Sequence, residues 1–106
     1  MNPNDFVVLT PQGRLDAAGA RPFEDEWKQH IAAGHTRILI DLQATRYISS
    51  NGLRTLLAAA RAAKKHGGGV KLCCLSSRLL DIFEMAGFDR VLEIYPTREE
   101  AEKSFS

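Results

Sequence analysis

The segment Arg37-Ile-Leu-Ile-Asp-Leu42 restricts the fold more than any other stretch of the chain. It is a nearly continuous apolar run with a helix-period pattern on each side. A strand with one face in water alternates apolar and polar residues, whereas a strand covered on both faces does not. The run therefore predicts a strand in the middle of an α/β sheet, with helices packed around it.

The flanking sequence supplies the rest of such a sheet. Phe6–Thr10 is a short β-type run; Pro11 and Gly13 punctuate it, and residues 14–16 follow as a second extended piece. Residues 20–34 read as a helix, with Phe23, Trp27 and Ile31 on its buried face and Gly34 as its stop. Pro22 suits its first turn, and Glu24, Asp25 and Glu26 suit the positive end of its dipole. After the central strand, residues 43–49 read as a loop. A second helix follows over 51–66, with Leu53, Leu56, Leu57, Ala60 and Ala63 as its inward stripe. Gly67–Gly69 ends it, and Val70–Leu75 is the next strand. Residues 76–88 read as a capped helix with Leu79, Leu80, Ile82, Phe83 and Met85 as core candidates. Val91–Tyr95 is a last strand, and Thr97-Arg-Glu-Glu100 is a capping box opening a terminal helix to about Phe105.

The expected architecture is a single α/β domain over residues 1–106: a mixed β-sheet of about five strands with about four helices. Strand–helix–strand units imply parallel neighbours, and the two closely spaced early strands suggest an antiparallel edge. The chain's 106 residues fit one domain, and a hydrophobic content of 44% argues for a packed core over disorder. A formal net charge of +1 provides no strong field for nucleic acid or an anionic membrane. No apolar run is long enough to span a bilayer, and no signal peptide opens the chain, so it reads as soluble and cytoplasmic.

Catalytic and metal chemistry find little support. Adjacent strand residues point to opposite faces, so Cys73 and Cys74 are poorly placed for a mutual disulfide. His30, His35 and His66 lack zinc-like spacing from them, so the cysteines are expected to be inert, with no metal and no cofactor. Neither a nucleophile–base arrangement nor a phosphate-binding G-x-x-x-x-G-K-[ST] loop is present, which argues against an enzyme.

What remains is the joint Arg46-Tyr-Ile-Ser-Ser-Asn-Gly-Leu-Arg54, where a loop enters a helix. Ser49 and Ser50 can serve as helix caps, each such cap being worth about 1 kcal/mol. One of them can equally be a site of modification, because a helix N-terminus stabilises a phosphate. The two readings are compatible. Loops gather outside the C-terminal ends of parallel strands, so Asp16, Asp41, Ser49, Ser50 and Asn51 are expected to cluster at one rim. Gly52 would let the first turn pack closely. Arg46 and Arg54 flank the site, either as ordinary surface charge or as contacts for an acidic partner surface or for the phosphate itself.

The whole chain from Phe6 onward resembles a STAS domain of the anti-sigma factor antagonist family. The resemblance is carried by Gly13-Arg-Leu-Asp16, by Ile38-Leu-Ile-Asp-Leu42, by Tyr47-Ile-Ser-Ser-Asn-Gly-Leu-Arg-Thr-Leu-Leu57, and by the order and spacing of residues 67–101. In that family the serine two positions before the motif glycine is phosphorylated, which corresponds to Ser50 here, with Ser49 as the fallback. Ser49 stands where many members carry aspartate, and Asn51 where many carry serine. The resemblance implies partner switching. The unmodified protein would bind an anti-sigma factor that is also a serine kinase with a histidine-kinase-like ATP fold. Phosphorylation at Ser50 would release it, and a PP2C-type phosphatase would reset the cycle. Asp16, Asp41, Arg46, Ser49, Ser50, Asn51, Gly52 and Arg54 would form the contact surface of a monomeric protein. The competing reading is a non-switching STAS subunit of a membrane transport system, or a ligand-binding STAS module.

Overall fold

The computed structural model of the protein describes residues 5–105. In chain order the elements are β1 (Val7–Leu9), β2 (Gly13–Leu15), α1 (Ala17–Ala32), β3 (Arg37–Asp41), β4 (Thr45–Ile48), α2 (Ser50–Lys65), β5 (Gly69–Cys73), α3 (Ser77–Met85), a 3-10 turn at Phe88–Arg90, β6 (Glu93–Tyr95) and α4 (Arg98–Lys103). The α/β class and the four helices are as expected.

Strand β3 occupies the place that its composition demands. It pairs in parallel with β1 on one side and β5 on the other, within a four-stranded sheet of order β1-β3-β5-β6. Its residues divide between the two faces. Ile38 and Ile40 join Phe23 and Trp27 of α1, Leu56, Ala59 and Ala63 of α2, and Leu79 and Phe83 of α3 in the main core. Leu39 points the other way, into a smaller core with Cys73, Ala101 and Phe105 under α4. A side chain of either kind left in water would forfeit roughly 1.5–3 kcal/mol of burial, which explains the unbroken apolar run.

Three expectations about the frame are corrected. The first is the antiparallel edge: every strand pair among the described residues is parallel. The early piece β2 leaves the main sheet and pairs with β4, a strand within what the sequence suggested was a loop. There are thus six strands in two sheets. Strand β4 is hard to read because its register with β2 shifts, leaving Arg46 unmatched and both Arg46 and Tyr47 exposed. A bulge of this kind breaks the apolar–polar alternation.

The second correction concerns α1. It starts at Ala17, capped by Asp16, whose Oδ1 accepts the N–H of Gly19 at 3.1 Å. Pro22 consequently lies in the second turn, and the first turn holds no acidic residue. The cap outweighs the dipole pattern.

The third concerns helix faces. The buried stripe of α2 is Gly52, Thr55, Leu56, Ala59 and Ala63, while Leu53, Leu57 and Ala60 are only half-buried. Thr55 is drawn inward because its Oγ1 accepts the indole N–H of Trp27 at 3.1 Å, tying α1 to α2. In α3, Leu79 and Phe83 are buried, Ile82 is half-buried, and Leu80 and Met85 are exposed. Thr97 does cap α4, accepting the N–H of Glu100 at 3.1 Å.

The cysteines also depart from expectation. Strand β5 ends at Cys73, and Cys74 adopts a left-handed backbone with φ of 64°. This turn cancels the strand alternation, and both residues face the α4 side. Burial, then a hydrogen bond with Cys74 and the nearby Asp41 carboxylate, push the Cys73 thiol up to about 12.

Candidate functional site

The joint at residues 46–54 is built by the small sheet. Strands β2 and β4 run side by side and end together, with Leu15 opposite Ile48. The residue that follows each strand is a helix cap: Asp16 for α1 and Ser49 for α2. Two parallel strands therefore deliver two helix N-termini to one rim.

Ser49 and Ser50 have different tasks. Ser49 has extended backbone angles, and its Oγ accepts the N–H of Gly52 at 3.3 Å. The same hydroxyl donates to the Leu15 carbonyl at 3.3 Å, and the Ser49 N–H donates to that carbonyl at 3.1 Å. Ser49 is thus a half-buried rivet between β2 and α2. Ser50 is the first helical residue and is exposed. Its hydroxyl has no hydrogen-bond partner among the described residues. The N–H groups of Ser50 and Asn51 have no protein acceptor either, as the first amides of a helix do not.

Gly52 is required by this seating. A Cβ on it would lie 2.2 Å from the Leu15 carbonyl oxygen and 2.8 Å from Cγ2 of Ile48. The close packing expected of Gly52 is present, and β2 is its partner. Gly19 of α1 makes a similar approach, where a Cβ would lie 2.2 Å from the Arg14 carbonyl oxygen.

The charges around the joint include the exposed guanidinium groups of Arg14, Arg46 and Arg54 and the half-buried Asp16 carboxylate, and Arg21 and Glu24 of α1 line one groove with Asn51 and Arg54. Arg14 pairs with Asp16 at 3.3 Å and lies 4.4 Å from the centroid of the Tyr47 ring. Arg46 is exposed on β4, and Arg54 reaches Asn51 Oδ1 at 3.5 Å. The Gly19 N–H, and then the Arg14 guanidinium, hold the Asp16 carboxyl below its ordinary value. Arg14 and Tyr47 were not among the candidates from sequence. Their pairing depends on the β2–β4 register, which the loop-like reading of residues 43–49 concealed.

Of the expected cluster, Asp16, Ser49, Ser50 and Asn51 share this rim. Asp41 makes its contacts elsewhere. Its Oδ1 accepts the Gln43 N–H at 2.9 Å, its Oδ2 lies 3.8 Å from Arg98 Nη1, and it stands beside Cys73 and Cys74. It ends β3 of the large sheet, whereas Ser49 follows β4 of the small one. Chemically, the rim offers an uncommitted hydroxyl at a helix N-terminus with no histidine or carboxylate bonded to it. That arrangement suits an acceptor of a group transferred by another protein.

The comparisons place the chain by family and by fold. A family profile described as "STAS domain" matches residues 2–101. BtrV of Bordetella bronchiseptica, named as a candidate anti-sigma factor antagonist, is 33% identical over 100 residues, covering 94% of this chain and 86% of that protein. The anti-sigma-B factor antagonist of Bacillus subtilis is 31% identical over 93 residues, covering 88% and 84%. Among solved structures, the phosphorylated form of SpoIIAA, a Bacillus cell fate determinant, has a TM-score of 0.74 at 21% identity, covering 100% of this chain and 96% of its own. Its unphosphorylated form, described as an anti-sigma factor antagonist, has a TM-score of 0.73 at 19% identity, covering 98% and 91%. At these identities the likeness to SpoIIAA is one of fold.

Proposed function

This chain belongs to the STAS domain family, and on that premise we propose that it is an anti-sigma factor antagonist that works by partner switching at Ser50. The observation that carries the proposal is the division of labour between the two serines. Ser49 is committed to the fold, while Ser50 is exposed with a free hydroxyl and two unpartnered amides beside it. The existence of SpoIIAA in phosphorylated and unphosphorylated forms adds support.

In this reading the unmodified protein docks the 46–54 rim on an anti-sigma factor that is a serine kinase with a histidine-kinase-like ATP fold. Arg14, Arg46 and Arg54 favour an acidic partner surface there. The kinase transfers the γ-phosphoryl group of ATP to Ser50 Oγ, leaving ADP. The phosphate adds a charge of about −1.5 to −2 and cancels most of the local positive charge. An unpaired charge desolvated in an interface costs several kcal/mol, and about 1.4 kcal/mol is already tenfold in affinity. The partner leaves without any refolding of the antagonist, because the helix end accommodates the phosphate. A PP2C-type phosphatase hydrolyses the ester and restores the serine. The protein is then a monomeric cytoplasmic regulator of transcription, and the kinase supplies the catalysis.

The test uses the protein as bait in lysate of its own host, with and without ATP, and maps modification by mass spectrometry. Wild type should release a kinase partner on addition of ATP and carry one phosphoryl group at Ser50. Ser50→Ala should retain the partner despite ATP. Modification at Ser49 alone, or ATP-independent capture of transporter subunits, would refute the proposal, the second outcome in favour of the transport-subunit reading.

A further inference from the structure

Away from the Ser50 rim, the C-terminal ends of β3 and β5 bring together three side chains that the partner-switching reading leaves unused. Asp41 and Cys73 are directly paired in the parallel register. Cys74 would point to the opposite face if β5 continued, but its φ of 64° turns it back to the α4 side. One carboxylate oxygen and the two sulfur atoms lie within 4.8 Å of one another. A left-handed backbone at a non-glycine residue is sparsely populated and concentrates at functional positions. The ends of parallel strands are where α/β sheets hold ligands.

We propose that Asp41, Cys73 and Cys74 form a binding site for a thiophilic divalent cation, of which Zn2+ and Cd2+ are the type. Two sulfur ligands and one carboxylate select borderline-to-soft ions over Mg2+ or Ca2+. With metal–sulfur bonds of about 2.3 Å and a metal–oxygen bond of about 2.0 Å, a tetrahedral site places its ligand atoms roughly 3.5–3.8 Å apart. The cluster therefore needs to contract by up to about 1.3 Å, within reach of side-chain rotation at half-buried Cys74. Water completes the fourth position. Each thiol loses its proton to solvent as the ion enters.

The site is coupled to α4. Arg98, the first residue of that helix, faces Asp41 Oδ2 at 3.8 Å, while Asp41 Oδ1 holds the Gln43 N–H. An ion that takes Oδ2 displaces Arg98, so occupancy is reported at the start of α4. His30 and His35 stand outside this arrangement: His30, in the last turn of α1, lies against His35 just beyond the helix end.

The experiment titrates the reduced protein with Cd2+ alone and follows the sulfur-to-cadmium charge-transfer absorption, with Zn2+ then added as competitor. Wild type should show one equivalent of Cd2+, displaced by Zn2+, and a shift of the Arg98 amide resonance. Cys74→Gly relaxes a backbone that glycine adopts freely. It should fold and lose at least tenfold in affinity, and Asp41→Asn should weaken binding by a similar factor. Absence of the band at stoichiometric Cd2+ would overturn the proposal. So would a band undiminished in Cys74→Gly, or binding without any change at Arg98. None of these readouts depends on Ser50, so the site stands or falls independently of the switching mechanism.

Discussion

Replacing Gly52 with alanine tests whether the seating of α2 on β2 holds the site together. On helix propensity alone, Gly52→Ala within α2 should stabilise by about 1 kcal/mol. The tertiary structure reverses the sign. The new Cβ would fall 2.2 Å from the Leu15 carbonyl oxygen and 2.8 Å from Ile48 Cγ2, one a backbone atom and the other a buried side chain. Neither neighbour yields easily, because Leu15 and Ile48 are both core residues. Relief requires moving the helix end from the strand by roughly 1 Å, with an overpacking cost of about 1–3 kcal/mol. The displacement also stretches the Ser49 N–H bond to Leu15 at 3.1 Å and the Ser49 Oγ bond to the same carbonyl at 3.3 Å. Hydrogen bonds of this kind contribute about 0.5–1.5 kcal/mol each. The balance is a loss of roughly 3 kcal/mol after the propensity gain is subtracted. For a domain near this size it lowers Tm by about 10 °C or more. Urea unfolding followed by Trp27 fluorescence reads the change, since Trp27 is buried between the helices. Asn51→Ala, at an exposed neighbouring position, is the control and should shift stability by no more than about 0.5 kcal/mol. Equal or higher stability in Gly52→Ala would mean that α2 does not rest on β2, and the division of labour between Ser49 and Ser50 would fall with it.

Ser49→Ala should cost about 1 kcal/mol by urea unfolding, through loss of the cap on Gly52, whereas Ser50→Ala should change stability by less than about 0.5 kcal/mol; a reversed order would refute the assignment of roles. Thr55→Val keeps the volume of the α2 face but leaves the Trp27 indole N–H unpaired, which should cost about 1–3 kcal/mol and shift the tryptophan emission. The Asp16 carboxyl is held below its ordinary 3.8 by the Gly19 N–H and then by Arg14. Its contribution is therefore fully present above pH 3.8 and lost as pH falls through the lowered folded value. In Asp16→Asn, urea midpoints between pH 2 and 5 should lack that part of the acid slope, because the amide caps without titrating; an unchanged slope would refute the electrostatic role.

The local signals proved sound wherever a short segment determines its own structure. The unbroken apolar run 38–40 specified a strand covered on both faces, and β3 is covered by α1–α3 on one side and by α4 on the other. Thr97 caps α4 as its T-x-x-E pattern required, and one of the two serines caps α2. Phe23 and Trp27 are buried as their spacing demanded, whereas Ile31, the third residue of that face, is only half-buried against the same core. Family membership was likewise legible, because the motif at 47–57 is itself a local pattern.

What the sequence alone could not convey depends on neighbours distant along the chain. The start of α1 at Ala17 is the exception, a contest between two local signals in which the Asp16 cap prevailed over an acidic first turn placed later. Strand β4 exists because β2 lies beside it, and its bulge at Arg46 removes the alternation by which a strand is recognised. Thr55 reads as a polar residue on a helix until Trp27, 28 residues away, reaches it. Asp41 ends β3 and Ser49 follows β4, strands consecutive in sequence that belong to different sheets, so only the strand order separates the Ser50 rim from the Asp41–Cys73–Cys74 cluster. Side-chain periodicity encodes which face of an element is buried, but not which element it will meet. That is decided when packing, close approach at Gly52 and one left-handed residue at Cys74 select a single arrangement from those the pattern allows.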